Sequence, residues 1–320
     1  MRKSAFAWLA LSIAVQACGS GQTNQDASAD GAVETPVPDS ALSVVPTEYA
    51  TSLLFLPLEQ GQTRALVFEL ANLATSDALE QRYLGWQLAS SGWRTILDND
   101  EREAPLREPW RLFPSDSLRL TITGDGDADA LIIRKDATDY TLELGEYFDR
   151  WDDRAGTRHE IREALLTYRS QRLDGIAVQH RFAIRAPQIP ARFGPYERAI
   201  LRSEDGAIIV LFNSKDSEKY GNPYAWMYAD GLTRRWTALE LRNVEVTSAP
   251  QLRRNVPVRT WFRIPEPDIK GEITVAERLF GDLPVEQGPR PYNAVYRVQG
   301  WIEFAGERRS VQGLFERGEL

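Results

Sequence analysis

Between residues 49 and 320 the chain consists almost entirely of short, strand-like apolar runs divided by turn residues. Some fourteen recur. They are 65–70, 83–88, 117–123, 130–134, 140–144, 164–170 and 175–184 in the first half, then 207–213, 225–228, 238–246, 258–264, 272–276, 296–304 and 310–315. Many alternate: Tyr296, Val298, Ile302 and Phe304 share one face, against Arg297, Gln299, Trp301 and Glu303 on the other. Asp174-Gly175, Asp205-Gly206, Asp230-Gly231 and Ala305-Gly306-Glu307 stand between runs, where hairpins need residues that tolerate positive φ. Many short strands with such turns fold as a sandwich or barrel. Helix is scarce. Residues 152–167 are the best candidate, with strand character at the end, and 75–81 read as a short helical turn. No segment repeats at a period of 20–50 residues. Some 270 residues of this pattern are too many for one eight-stranded barrel. The reading is an all-β chain of two β units sharing an interface, with little helix. The first unit spans 47–190 and the second 191–320. The boundary falls at 186–195, where Pro187, Pro190 and Pro195 interrupt strand pairing.

Residues 1–17 read as a signal peptide. Arg2 and Lys3 precede an apolar stretch, 5–15, broken only by Ser12. That stretch has the length of a signal h-region and falls short of the roughly 20 residues that span a bilayer. It ends in Val15-Gln16-Ala17-Cys18, which resembles the bacterial lipobox. The resemblance implies that the mature chain begins at an acylated Cys18, the single cysteine. Each buried CH₂ adds about 0.8 kcal/mol of membrane affinity, so several acyl chains anchor firmly. Gly19, in place of the aspartate linked to inner-membrane retention, points to the outer membrane of a bacterial envelope. Residues 18–46 are rich in Gly, Ser, Asp, Ala and Pro and read as a disordered tether.

Charge and composition exclude several classes. The 38 basic residues are outnumbered by 46 acidic ones, a net charge of −8, which argues against nucleic-acid binding. One cysteine rules out an internal disulfide framework and a Cys-rich zinc site; two histidines leave no His-based metal centre. No metal or cofactor is expected.

The second half also resembles a family. In order, it carries Glu204-Asp205-Gly206, Tyr224-Ala225, Asp230-Gly231, Thr247-Ser248, Pro257-Val258-Arg259-Thr260-Trp261, Arg263-Ile264-Pro265-Glu266 and Ile273-Thr274-Val275. Tyr296-Arg297-Val298-Gln299-Gly300 and Ser310-Val311-Gln312-Gly313 close the series. This succession is similar to the lipocalin-like proteins of the carotenoid 1,2-hydratase and AttH type. Residues 196–320 carry it, and Val256 stands where that family often has Tyr. The resemblance implies two tandem lipocalin-like, or calycin-like, β-barrel halves and an apolar ligand or substrate, without implying the hydratase reaction.

Candidate chemistry is sparse. Asp125, Asp127 and Asp129 have the alternation of a calcium loop. However, Ala130 stands where the loop needs Gly and Asp136 where it usually has Glu, so an acidic hairpin tip is the better reading. His159-Glu160 could form an acid–base pair, against a solvated helical face. Asp149, Asp152 and Asp153 flank Trp151 near Glu143 and Glu146, the residue types of a glycosidase pair, though such clusters usually face solvent. No nucleophile elbow, P-loop or Rossmann fingerprint is present. His180 alternates with Val178 and Phe182, so it points inward if that face does. Eight of the nine tryptophans lie in the mature chain, and such rings fill β cores or line apolar pockets. The ligand-binding candidates are Trp226, Tyr228, Trp261 and His180; no residue is assigned a catalytic role.

The expectation is a lipid-anchored envelope lipoprotein that binds a hydrophobic small molecule, with membrane contact through its anchor and no nucleic-acid partner. One alternative is an enzyme of the same fold, hydratase-, hydrolase- or cyclase-like, acting on an isoprenoid or other apolar substrate. The other is an envelope protein-interaction module.

Overall fold

The computed structural model describes residues 45–59, 64–104, 109–110, 118–122, 128–135 and 138–320. Residues 1–17, expected as a signal peptide, Cys18, the expected tether as far as residue 44, Asp125 and Asp127 lie outside them.

Nine strands build the first sheet: β1 (Thr47–Pro57), β2 (Ala65–Ala74), β3 (Leu79–Ala89), β4 (Gly92–Glu103), β5 (Leu118–Ile122), β6 (Ala128–Lys135), β7 (Thr138–Asp152), β8 (Arg158–Tyr168) and β9 (Gln171–Arg185). Their order is β4-β3-β2-β1-β9-β8-β7-β6-β5. Nine more build the second: β10 (Tyr196–Ser203), β11 (Ile208–Ser214), β12 (Tyr224–Ala229), β13 (Leu232–Trp236), β14 (Glu240–Ala249), β15 (Arg254–Ile264), β16 (Ile269–Asp282), β17 (Tyr292–Phe304) and β18 (Glu307–Glu319). Their order, β13-β12-β11-β10-β18-β17-β16-β15-β14, repeats the first. Each sheet is an antiparallel meander whose first strand sits in the middle, paired to its last. Residues 186–195 join the two.

Strand alternation sorts the apolar residues into three cores. Leu53, Phe55, Phe68, Leu97, Ile133 and Leu142 fill the first barrel. Leu201, Ile209, Leu211, Phe262, Ile273 and Phe315 fill the second. Leu54, Val178, Ile200, Val210, Trp226 and Leu314 form a third core where the barrels' outer faces meet. Strands at that junction are buried on both sides. Thus 53–56 (Leu-Leu-Phe-Leu) and 207–212 (Ala-Ile-Ile-Val-Leu-Phe) run apolar without alternating. Each fully buried aliphatic side chain contributes roughly 1.5–3 kcal/mol.

Two helical expectations are overturned. Residues 152–167 end β7, turn at 153–157 and continue as β8. Their charges lie in cross-strand pairs rather than along a helix: Glu160 on β8 meets Arg150 on β7 at 3.4 Å and Arg181 on β9 at 3.2 Å. The solvated helical face expected for His159-Glu160 is therefore a buried strand. In 75–81, Thr75 Oγ1 donates to Asp77 and accepts from the Ala78 N–H, making a turn before β3 starts. The one α-helix among the described residues is a single turn, α1 (Ser217–Tyr220), capped by Asp216. No helix among them is long and apolar enough to cross a membrane.

Candidate active site

A cleft of about 570 Å³ opens between the barrels. Its floor is the outer face of β1 and β2. Glu48, Ala50 and Ser52 occupy alternate positions on β1, with Leu73, Ala71 and Glu69 directly opposite on β2. The two-residue repeat of a strand puts all six on one face. The small Ala50–Ala71 row leaves room for a ligand. The connection 187–190, Arg192 and the loop 282–284 bound the cleft from above this floor, with Phe182 and Tyr196 also lining it.

Two carboxyls in this floor are almost wholly withdrawn from water. Glu48 is 5% exposed, and its Oε2 accepts from the Ala191 N–H at 2.8 Å. Burial pushes its pKa up to about 7, against the pull of that N–H and of Arg192. Glu69 is 6% exposed. Burial, reinforced by the charge of Glu316, raises it to about 8. The Asn293 amide donates to Glu69 Oε1, while Glu69 Oε2 is buried without a hydrogen-bond partner.

Behind Glu69 lies a polar network shared by both barrels. Arg198 on β10 pairs with Glu316 on β18, Nε donating to Oε2 at 3.0 Å. The Tyr196 hydroxyl donates to Glu316 Oε1 at 3.0 Å. Arg198 also reaches into the first barrel, donating to Ser52 Oγ at 2.6 Å and to the Ser52 carbonyl at 3.0 Å. Burial and the Glu316 charge hold the Tyr196 hydroxyl protonated, well above its usual range. The arrangement keeps Glu69 neutral beside a negative neighbour, as a proton donor must be at neutral pH.

A second polar cluster sits deeper in the junction. His159 and His180 are register partners on β8 and β9, their rings 4.7 Å apart. His180 Nε2 bonds the Tyr224 hydroxyl of the second barrel at 2.8 Å, and His159 Nε2 bonds Asp153 Oδ2 at 3.1 Å. Trp151 stacks on His159 at 5.0 Å, and Arg235 caps Trp151 at 4.2 Å. Burial lowers both imidazoles, His180 strongly; Asp153 partly opposes it at His159. Burial alone would raise Asp153, but bonds from His159 and from the Asn222 and Thr157 N–H groups hold it below its usual value. Gly221, at φ 98°, makes room for this carboxylate: a Cβ there would lie 2.3 Å from Asp153 Oδ2. The rings fill this space with neutral packed groups.

Of the residues expected at a ligand site, His180 and Trp226 are buried in the inter-barrel core, and Tyr228 packs at its edge against Phe148, 5.1 Å away. Trp261 is elsewhere. It lies half-buried on β15, separated from β12 by five intervening strands in the sheet, with Arg242 over its ring at 5.5 Å. None of the four lines the cleft. The carboxylates around Trp151 disperse: Asp149 pairs with Arg235, Asp152 with Arg158 and Asp153 with His159, while Glu143 and Glu146 are exposed. Asp129 stands 4.0 Å from Arg162. Among the described residues, no group of three or more His, Cys, Asp or Glu side chains could hold a metal ion. Sequence reasoning missed Glu48, Glu69, Arg198 and Glu316. The available signal was a charge set inside an apolar strand run, as in Val67-Phe68-Glu69-Leu70 and Leu314-Phe315-Glu316.

No family model and no curated protein sequence matches the chain. Solved structures do. A protein assigned as AttH from Nitrosomonas europaea aligns over 86% of this chain and 93% of its own, at 11% identity and a TM-score of 0.50. Kievitone hydratase from Nectria haematococca aligns over 87% and 90%, at 10% identity and the same TM-score. At these identities the likeness is one of fold, and the lipocalin-like, AttH-type architecture read from residues 196–320 holds at that level: the chain is a tandem lipocalin-like double barrel of the kind seen in those two proteins.

Proposed function

We propose that this protein is an enzyme that carries out acid–base chemistry on an apolar small molecule bound in the inter-barrel cleft. The observation that carries the reading is Glu69: a carboxylic acid kept neutral by burial and by Glu316, with Oε2 unbonded in a cleft wall. A carrier of apolar ligands has no need of such a group, because a buried unpaired oxygen only weakens the fold. In this reading Glu69 gives its proton to an unsaturated carbon of the substrate, and the resulting cation is closed by a double bond further along the same molecule. Glu48, with a pKa of about 7, accepts a proton in return. The two sit four residues apart along the floor, about 13 Å at strand spacing, so they address different parts of an elongated substrate. Proton-initiated cyclisation of an elongated isoprenoid-like compound fits this separation, because one proton is gained and another lost at distant carbons, and the likeness in fold to kievitone hydratase supports an enzymatic role. Attachment to a bacterial envelope membrane through Cys18, supported by the lipobox-like segment, would place the enzyme beside apolar compounds dissolved in lipid.

The test is to purify the full chain and its Glu69→Gln variant from the native membrane, extract each with organic solvent and identify bound compounds by mass spectrometry. The variant should hold unreacted substrate, and the wild type an isomer of it. The same compound in both, or none in either, would overturn the enzyme reading.

A further inference from the structure

The outward face of β10 carries Tyr196, Arg198, Ile200 and Arg202 at alternate positions, and β18 sets a partner opposite the last three. Arg198 faces Glu316, Ile200 faces Leu314 and Arg202 faces Gln312. Both arginines are buried, at 0% and 4% exposure. Arg198 is neutralised by its partner. Arg202 faces a carboxamide, which has dipoles but no charge. Its Nη1 donates to the Pro57 carbonyl at 3.2 Å, and among the described residues no carboxylate forms an ion pair with it. A buried guanidinium without a counter-ion is costly unless something supplies one.

The surroundings fit a ligand. Arg202 lines a groove of about 760 Å³ together with Gln299, Gln312, Ser310, Arg308 and Trp301. Gln299 and Gln312 are cross-strand partners, and both amides are exposed. Arg308 lies over the Trp301 ring at 3.9 Å. The acidic lining residue Glu204 is exposed, so the two arginines leave the groove net positive. No residue of this groove lines the cleft proposed for catalysis.

We infer that the groove is a second binding site, taking a small ligand through an oxyanion, a carboxylate or a phosphate ester, seated on Arg202. Arginine presents a fork of N–H donors that matches such groups. The Ser310 hydroxyl and the paired amides supply neutral hydrogen bonds, and Trp301 with Arg308 offers a flat surface to the body of the ligand. The site stands whether or not the cleft is catalytic.

Isothermal titration of the full chain with inorganic phosphate, and separately with acetate, tests it. Saturable one-to-one binding of at least one ion is expected, weakened at least tenfold in Arg202→Met. A second variant guards against a folding defect. Gln312→Glu places a carboxylate opposite Arg202, as Glu316 stands opposite Arg198. It should raise the melting temperature and abolish anion binding. The inference is overturned if neither ion binds, if both variants bind as the wild type does, or if binding is seen only with vesicles of anionic phospholipid.

Discussion

Arg198 and Glu316 form an ion pair in which neither side chain reaches solvent, and Arg198 also holds Ser52 of the opposite barrel. Removing one member leaves a buried charge, which typically costs about 3–5 kcal/mol. Glu316→Ala is expected to fall in that range by urea denaturation. The double variant Arg198→Met, Glu316→Leu, with both charges gone, should recover most of the loss. A double variant as unstable as the single one would show that the pair's hydrogen bonds, rather than its charge balance, hold the barrels together.

The cleft carboxyls set a pH dependence of definite sign. Unfolded, Glu48 loses its proton near 4.5, the ordinary glutamate value; folded, it keeps the proton to about 7. Between these values the native chain holds the extra proton, so stability falls as pH rises. Glu69 extends this window to about 8. Each group adds a slope of at most about 1.4 kcal/mol per pH unit. Denaturation midpoints measured across the window should show the decline, and Glu48→Gln should flatten its lower part.

His180 acts in the opposite direction. Its folded pKa lies well below the ordinary imidazole value of 6.5 because it is buried beside Arg198 and His159. As pH falls through 6.5, the unfolded chain takes a proton that the native site refuses, and stability is lost. His180→Gln keeps a group able to bond Tyr224 but cannot titrate. Its disadvantage against wild type at about pH 7 should shrink or reverse at about pH 5.

Ala71 is half-buried in the cleft floor opposite Ala50. Ala71→Phe should occupy the ligand space while leaving stability within about 1 kcal/mol, because the ring enters an open cleft rather than a packed core. Nile red fluorescence would report the loss of apolar binding, and thermal melting would show that the fold survives. Undiminished dye binding in a well-folded variant would place the apolar site elsewhere.

The sequence made the hairpins legible because their turn chemistry is local: Asp230 and Gly231 adopt positive φ between β12 and β13, as does Gly206 after β10. It hid the strands at the centre. β1 and β10 escape notice for opposite reasons. β1 is polar over its first half and runs apolar on both faces only over 53–56, whereas β10 carries Arg198 and Arg202, which look like loop residues until burial and partners are known. β4 and β13 are charged edge strands with little apolar signal. The face that Val178, His180 and Phe182 share on β9 is readable from alternation, and it turns out of the first barrel into the junction with the second. The acid cluster was not readable, because inter-barrel packing alone brings Glu69 of β2 to Asn293 and Glu316, which sit on the paired strands β17 and β18 of the other barrel.

The strand that enters each barrel first is bonded to the strand that arrives last. Neither barrel can close during synthesis until its ninth strand has emerged, and pairing across so long a stretch of chain is intrinsically slow. In the meantime β10, paired on one side to β11, presents its other edge open and a charged residue, Arg198, whose counter-ion has not yet been made. A ribosomal product cut short before β18 would keep those liabilities for good, exposing it to chaperones and proteases. Emergence of β18 is thus itself the checkpoint for stability, and copies that lack it mark themselves for removal.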